Sequence, residues 1–290
     1  MLTAMVSLVA ALIALFTSLL WGTSDYLGGV LSKERKVIGV VGTAQAMGLV
    51  LGALLVVITG QWHKQLLGWG GYGGYAFAAG VIGFGSLLAF YSALSSGTMG
   101  VVSPIASLGV IVPVVIGLVR GERPSQLQLL GICIAIIGVV AASGPELSGL
   151  VGAKPVLLAI LAGAGFGLTL TFMQFGSRSS PLMTMTAMRL VMVLTFGIML
   201  SFSPKSSDIR RSDLPLLALI GTFDLSANVL LGVASTMGMF SIVAVLGSLY
   251  PMTTVILAAK FQHERLARIQ YVGIVLSILG LVFIGLGGGA

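Results

Sequence analysis

Charge is what this 290-residue sequence has least of. Asp, Glu, Lys and Arg make up 8% of it, fifteen basic and eight acidic residues, beside 57% hydrophobic residues. A soluble domain carries about a quarter of its residues as charges, and the mean hydropathy of +1.11 excludes that class. Cysteine is almost absent as well. Cys133 stands alone inside an apolar run, which excludes a disulfide framework and a thiolate metal site. The two histidines, His63 and His263, lie among loop residues and leave nothing for an intramembrane histidine relay. A net charge of +7 does not indicate nucleic acid, because the basic residues are scattered between apolar runs and form no basic face. No Gly-x-Ser-x-Gly elbow or His-Glu-x2-His metal motif is present, so enzymatic chemistry, cofactors and metals are not expected. Gly68-Trp69-Gly70-Gly71-Tyr72-Gly73 matches a dinucleotide fingerprint by letters only, with no strand before it and an apolar run after it. Nothing positive precedes the first apolar run, and Leu2 to Tyr26 is too long for a signal-peptide core, so it reads as a retained helix.

What the sequence does have is long apolar runs. Cutting at charges and turn residues gives ten: about 5–31, 37–58, 72–95, 99–119, 126–143, 155–177, 183–202, 214–236, 240–259 and 268–287. At about 1.5 Å rise per residue each can cross a hydrocarbon core of about 30 Å. Lipid offers no partner for a free backbone group, so these runs must be helices. The expectation is an all-α, multi-pass membrane protein with ten transmembrane helices.

The chain also repeats itself. Glu122, Arg123, Gln128, Gly131 and Gly138 recur 142 positions later as Glu264, Arg265, Gln270, Gly273 and Gly280. Gln45 maps near Arg189, and Trp21-Gly22 near Phe166-Gly167. The domains expected are therefore two five-helix units, 1–150 and 151–290. Five is odd, so the second unit enters the bilayer from the opposite side. Such inverted repeats are common in secondary carriers, which bind substrate near the midplane between the halves. Ten basic residues fall in loops on one side (Lys33, Arg35, Lys36, Lys154, Lys205, Arg210, Arg211, Lys260, Arg265 and Arg268). Four fall on the other (Lys64, Arg120, Arg123 and Arg178). By the positive-inside rule the first side is cytoplasmic and both termini lie outside.

On these residues the chain resembles the drug/metabolite transporter superfamily, and within it the EamA-type permeases. The resemblance rests on ten helices in two repeats, each with the Glu-Arg-x4-Gln-x2-Gly-x6-Gly element. In the second copy His263 stands where a glycine is common. Trp21 to Gly29, Ser103-Pro104-Ile105-Ala106 and Ser248-Leu249-Tyr250-Pro251 also match. The resemblance implies export of amino acids, drugs or other small metabolites from the cytoplasm, often in exchange for protons. It places the protein in the cytoplasmic membrane. It also implies cytoplasmic termini, opposite to the charge count.

Three charges lie inside spans: Asp25, Arg189 and Asp224. An ionisable residue at the centre of a spanning helix costs at least about 2.5–3.5 kcal/mol, so it faces a partner or a watered cavity. Either these three line a transport path, with a carboxylate that loads a proton and an arginine that holds a substrate carboxylate, or Arg189 simply neutralises one aspartate and locks two helices together. Asn228, the sole asparagine, follows Asp224 by one turn, and Gln45 is another deep amide. Both suit a polar substrate, and equally suit interhelical hydrogen bonding. Gln174 reads as the latter. Trp21 and Tyr250 are the aromatics singled out for a cavity, beside Asp25 and Pro251; Tyr26, Phe84, Tyr91, Phe166 and Phe172 read as packing. Pro104 and Pro113 in the fourth run and Pro251 in the ninth should kink equivalent helices. Two carboxylates and one guanidinium suit an amino acid, which makes proton-coupled amino-acid export the leading expectation. A cationic drug or polyamine fits instead if Arg189 is already paired. A passive channel or structural subunit is the reading from another class. The expected partners are a small-molecule substrate and the lipid bilayer, with a homodimer allowed.

Overall fold

The computed structural model describes residues 2–68, 70–142, 152–202, 207–263 and 267–287. Glu264, Arg265 and Lys205 therefore lie outside the described residues. Among the described residues there is no strand. The α-helices are α1 (Leu2–Glu34), α2 (Val37–Thr59), α3 (Gly73–Ser96), α4 (Met99–Ser107), α5 (Ile111–Val119) and α6 (Gln126–Ala142). They continue as α7 (Ala153–Ser177), α8 (Pro181–Phe202), α9 (Leu214–Met237), α10 (Phe240–Gly247), α11 (Tyr250–Phe261) and α12 (Arg268–Gly287).

All ten expected runs fall on helix, but length separates them. Among the described residues eight segments are long and apolar enough to cross a membrane, while α6 and α12 are apolar and shorter. Side chains such as Val50, Leu54, Val57, Leu161, Leu194, Tyr271, Val275 and Ile278 point outward and exposed. This is the apolar outer surface that lipid requires and water would penalise.

The fourth and ninth runs are each broken in two. A 3-10 turn, Leu108–Val110, separates α4 from α5, and residues 248–249 separate α10 from α11. The prolines act differently from expectation. Helix α4 continues through Pro104 and breaks one turn later. The missing N–H of Pro104 frees the Gly100 carbonyl, and the Gln270 Nε2 donates to it at 3.1 Å. Pro113 and Pro251 sit in the first turns of α5 and α11, where a proline removes a donor the helix does not use. They stand at the start of the second helix of each broken run.

Packing gives the recurring element a reason. Gln128 Oε1 accepts from the Ser125 N–H at 2.8 Å while Ser125 Oγ accepts from the Gln128 N–H at 3.2 Å, a reciprocal cap on α6. Gln270 Oε1 accepts from the Ala267 N–H in the equivalent place on α12. The glycines pack crosswise. A Cβ on Gly131 would meet the Gly280 carbonyl, and one on Gly138 the Gly273 carbonyl, so α6 and α12 lie backbone to backbone and antiparallel. Glu122 reaches into the other half. Its two carboxylate oxygens accept from the Phe240 and Ser241 N–H groups at 2.8 and 2.9 Å, capping α10.

The main helix pairings are two-fold: α3 packs on α7 as α9 packs on α1, and α3 on α8 as α9 on α2. Helices α2 and α8, like α6 and α12, pair with their own equivalents.

The charged loops collect at two ends. At one, Arg35 Nε and Nη2 pair with Asp213 at 2.7 and 3.4 Å, and the Lys36 N–H donates to Asp208. The Asp213 hydrogen bond holds the Arg35 guanidinium further above its usual, already high pKa. At the other end Arg120 and Arg178 both lie against the Phe175 ring, 4.7 and 5.7 Å from its centroid.

Candidate functional site

Between the two halves lies a cavity of about 670 Å³, including its open mouth. Both helix breaks contribute to it, through Gly109 and Val110 on one side and Ser248 and Tyr250 on the other. The first wall comes from α1 and α9, with Trp21 and Asp25 facing Asp224 and Asn228. Opposite stand α3 and α7, with Gly83, Leu87, Phe166, Thr169, Leu170 and Met173. Met188, Arg189 and Met192 of α8 also line it.

One turn of α1 separates Trp21 from Asp25, and one turn of α9 separates Asp224 from Asn228, so each pair shares a helix face. The two carboxylates differ sharply in their partners. Asp224 is surrounded by donors. Trp21 Nε1 lies 3.2 Å and Asn228 Nδ2 3.0 Å from its Oδ1, and Gln45 Nε2 donates to Oδ2 at 3.0 Å. Arg189 Nη2 is 2.9 Å from the same Oδ2, an ion pair by distance whose angle falls outside hydrogen-bond geometry. Arg189 Nη1 donates to Gln45 Oε1, so Gln45 bridges the pair. Asp25 is 9% exposed and lines the cavity, yet it has no hydrogen-bond or ion-pair partner among the described residues.

Of the expected site residues, Trp21, Asp25, Arg189, Asp224, Asn228 and Tyr250 come together around one cavity. Gln45 stands behind it, buried against Arg189 and Asp224. Arg189 touches the cavity but is 1% exposed and committed to Asp224. Gln174 is buried away from the cavity, its Oε1 without a hydrogen-bond partner. Pro104, Pro113 and Pro251 lie outside the cavity wall, within α4 and in the first turns after the breaks. Among the aromatics, Phe166 joins Trp21 and Tyr250 in the wall, while Tyr26, Phe84 and Tyr91 are buried in the core.

Sequence reasoning missed the apolar wall and the three methionines, Met173, Met188 and Met192. A signal existed in the internal repeat. Gly83 and Leu87 hold the eleventh and fifteenth places of α3, as Asp224 and Asn228 do in the equally long α9. Phe166 and Leu170 correspond to Trp21 and Asp25 at a constant offset of 145 residues. The equivalent glycines behave alike too. A Cβ on Gly22 would strike the Tyr250 carbonyl, and one on Gly167 the Gly109 carbonyl, each at the break of the other half.

Comparison with known proteins agrees with this two-fold design. A crystal structure of a protein superimposes with a TM-score of 0.73 over 94% of each chain at 17% identity, a likeness of fold. No curated protein matches the chain significantly. The model of the EamA-like transporter family matches residues 8–144 and, separately, residues 153–286. With each half matched once and nearly all of its length covered, the chain belongs to the EamA-like transporter family.

Proposed function

We propose that the protein is a secondary active carrier of the cytoplasmic membrane. It crosses the bilayer ten times, its second five spans inverted relative to the first, and its halves move about the central cavity by alternating access. Export is coupled to protons through Asp25. The observation that carries this reading is the unpaired Asp25 carboxylate on the wall of a cavity between two-fold related halves. A carboxylate partly withdrawn from water and without a cation beside it exchanges a proton or a cationic ligand at low cost. One that already holds a guanidinium does not.

Arg189 bears on the choice between the substrate classes. Capturing the carboxylate of an amino acid needs a free guanidinium, and Arg189 is buried against Asp224 and Gln45. The geometry therefore favours an organic cation, seated with its charge toward Asp25 and its apolar body against Trp21, Tyr250, Phe166 and the methionines.

Proteoliposomes test the reading. Purified protein should give saturable uptake of an organic cation, driven by an imposed pH gradient and accelerated by unlabelled substrate on the far side. Asp25→Asn should lose the pH drive. Linear, unsaturable flux would indicate a pore. Saturable counterflow of amino acids with no response to cations would return the substrate to the zwitterionic class.

A further inference from the structure

Asp224 was expected to share the mechanism with Asp25, and its surroundings give it other work. Its Oδ1 takes the Trp21 indole N–H and the Asn228 amide, and its Oδ2 takes Gln45 and Arg189. With its charge matched by Arg189 and both oxygens engaged, little is left for a ligand. What the cluster fixes toward the cavity is the Trp21 ring. Asp224 holds the ring at Nε1, 3.2 Å away. Tyr250 meets it edge to face, with centroids 6.3 Å apart and planes at 76°. Its far edge lies over Gly247, where an added Cβ would stand 3.5 Å from Cζ3. Behind Tyr250 the stacking continues to the buried Phe90 at 6.4 Å and on to Phe166 at 5.4 Å. Trp21 is thus fixed on three sides, with one face of α1 carrying both it and Asp25.

We infer that Trp21 is the specificity-determining side chain of the cavity, selecting cations that carry an aromatic group, and that Asp224 is the positioning residue for its ring. The inference rests on the cavity being the substrate site. Asp25 supplies the counter-charge, which any cation satisfies. An indole one turn away, unable to swing aside, supplies a flat π surface that discriminates among them. A tryptophan loose in a cavity would lose part of this selectivity in ordering itself on each binding event. The Asp224 anchor removes that cost.

The experiment compares two probes of equal charge and similar shape, benzyltrimethylammonium and (cyclohexylmethyl)trimethylammonium, by equilibrium binding to purified protein and by proteoliposome uptake. The native protein should prefer the benzyl probe by roughly 2- to 12-fold, the worth of one ring-on-ring contact. Trp21→Leu should erase that preference and weaken both probes, with the remaining binding of the cyclohexyl probe still Asp25-dependent, which also reports that the variant is folded. Trp21→Phe keeps a ring without the N–H, and should retain only part of the preference. Asp224→Asn combined with Arg189→Gln removes both buried charges together. It should lower the preference and leave the pH dependence of uptake in place.

Two results would overturn the inference alone. One is equal binding of both probes by the native protein; the other is an aromatic preference that survives Trp21→Leu. Loss of pH dependence in the double variant would make Asp224 a proton carrier and remove its positioning role. Failure of either probe to bind in an Asp25-dependent way would overturn the cavity reading and this inference with it.

Discussion

Helices α1 and α9 meet in one wall of the cavity and α7 and α3 in the other, and the internal repeat relates the two pairs. Trp21, Asp25, Asp224 and Asn228 on the first wall stand where Phe166, Leu170, Gly83 and Leu87 stand on the second. The backbone arrangement is shared. A glycine after each aromatic presses against the opposite broken helix, Gly22 on the Tyr250 carbonyl and Gly167 on the Gly109 carbonyl. The chemistry is not shared, because one wall carries both carboxylates and the other no charge. On the carrier reading proposed above, the contrast separates two demands. Exchanging inward- and outward-open forms is served by equivalent halves. Binding one ligand in one orientation needs a lopsided cavity. Here the frame kept its symmetry while the lining lost it.

The largest effect should come from the residue that makes the walls unequal. Asp25→Asn is expected to abolish pH-driven uptake in proteoliposomes, while Leu170→Asn on the opposite wall leaves it standing. Equal loss from both would mean that any change in the lining disables transport. Next comes the ion pair. Arg189→Met leaves Asp224 buried without its cation and should cost about 3–5 kcal/mol of stability, seen as a lower melting temperature in detergent. Adding Asp224→Leu should restore most of it, since the two residues act as one unit. Smaller again is the frame that both walls share. Glu122→Ala strips two acceptors from the start of α10 and should cost about 1–2 kcal/mol, with the aromatic-cation preference unchanged. The smallest effect is expected on the quiet wall. Gly83 holds the place of Asp224, yet a Cβ there meets mainly the mobile tip of Met192, 2.7 Å away. Gly83→Ala should shift stability by less than about 1 kcal/mol, and a large loss would show that wall to be tightly packed as well.

Much of the frame was legible beforehand because lipid leaves few choices. Apolar runs of membrane length must be helices, and the recurring Glu-Arg, Gln and Gly positions marked two units. Less legible was which partners those positions find. Gln128 and Gln270 prove to be helix caps, and Glu122 a cap on a helix more than a hundred residues away. The partner of Glu122, far away in sequence, carries no periodicity. Prolines misled in detail, since a proline in a first turn and one inside a helix look alike in sequence. Within the site, the three intramembrane charges were readable from the insertion cost. Their pairing was not, and Asp25, Arg189 and Asp224 stood as equals until distances separated them.

The amino-acid sequence alone therefore determined that this chain lives in lipid, that it is helical, that it is two copies of one unit, and that Asp25, Arg189 and Asp224 must avoid the bilayer. Each conclusion follows from composition and spacing, because an apolar solvent charges nearly the same for a polar group wherever it sits. The tertiary structure decided which aspartate receives the arginine, which is left facing the cavity, and which rings surround it. Those outcomes depend on how α1, α2, α8 and α9 cross. A contact between side chains some two hundred residues apart, such as Trp21 with Asp224, exists only once the halves have packed.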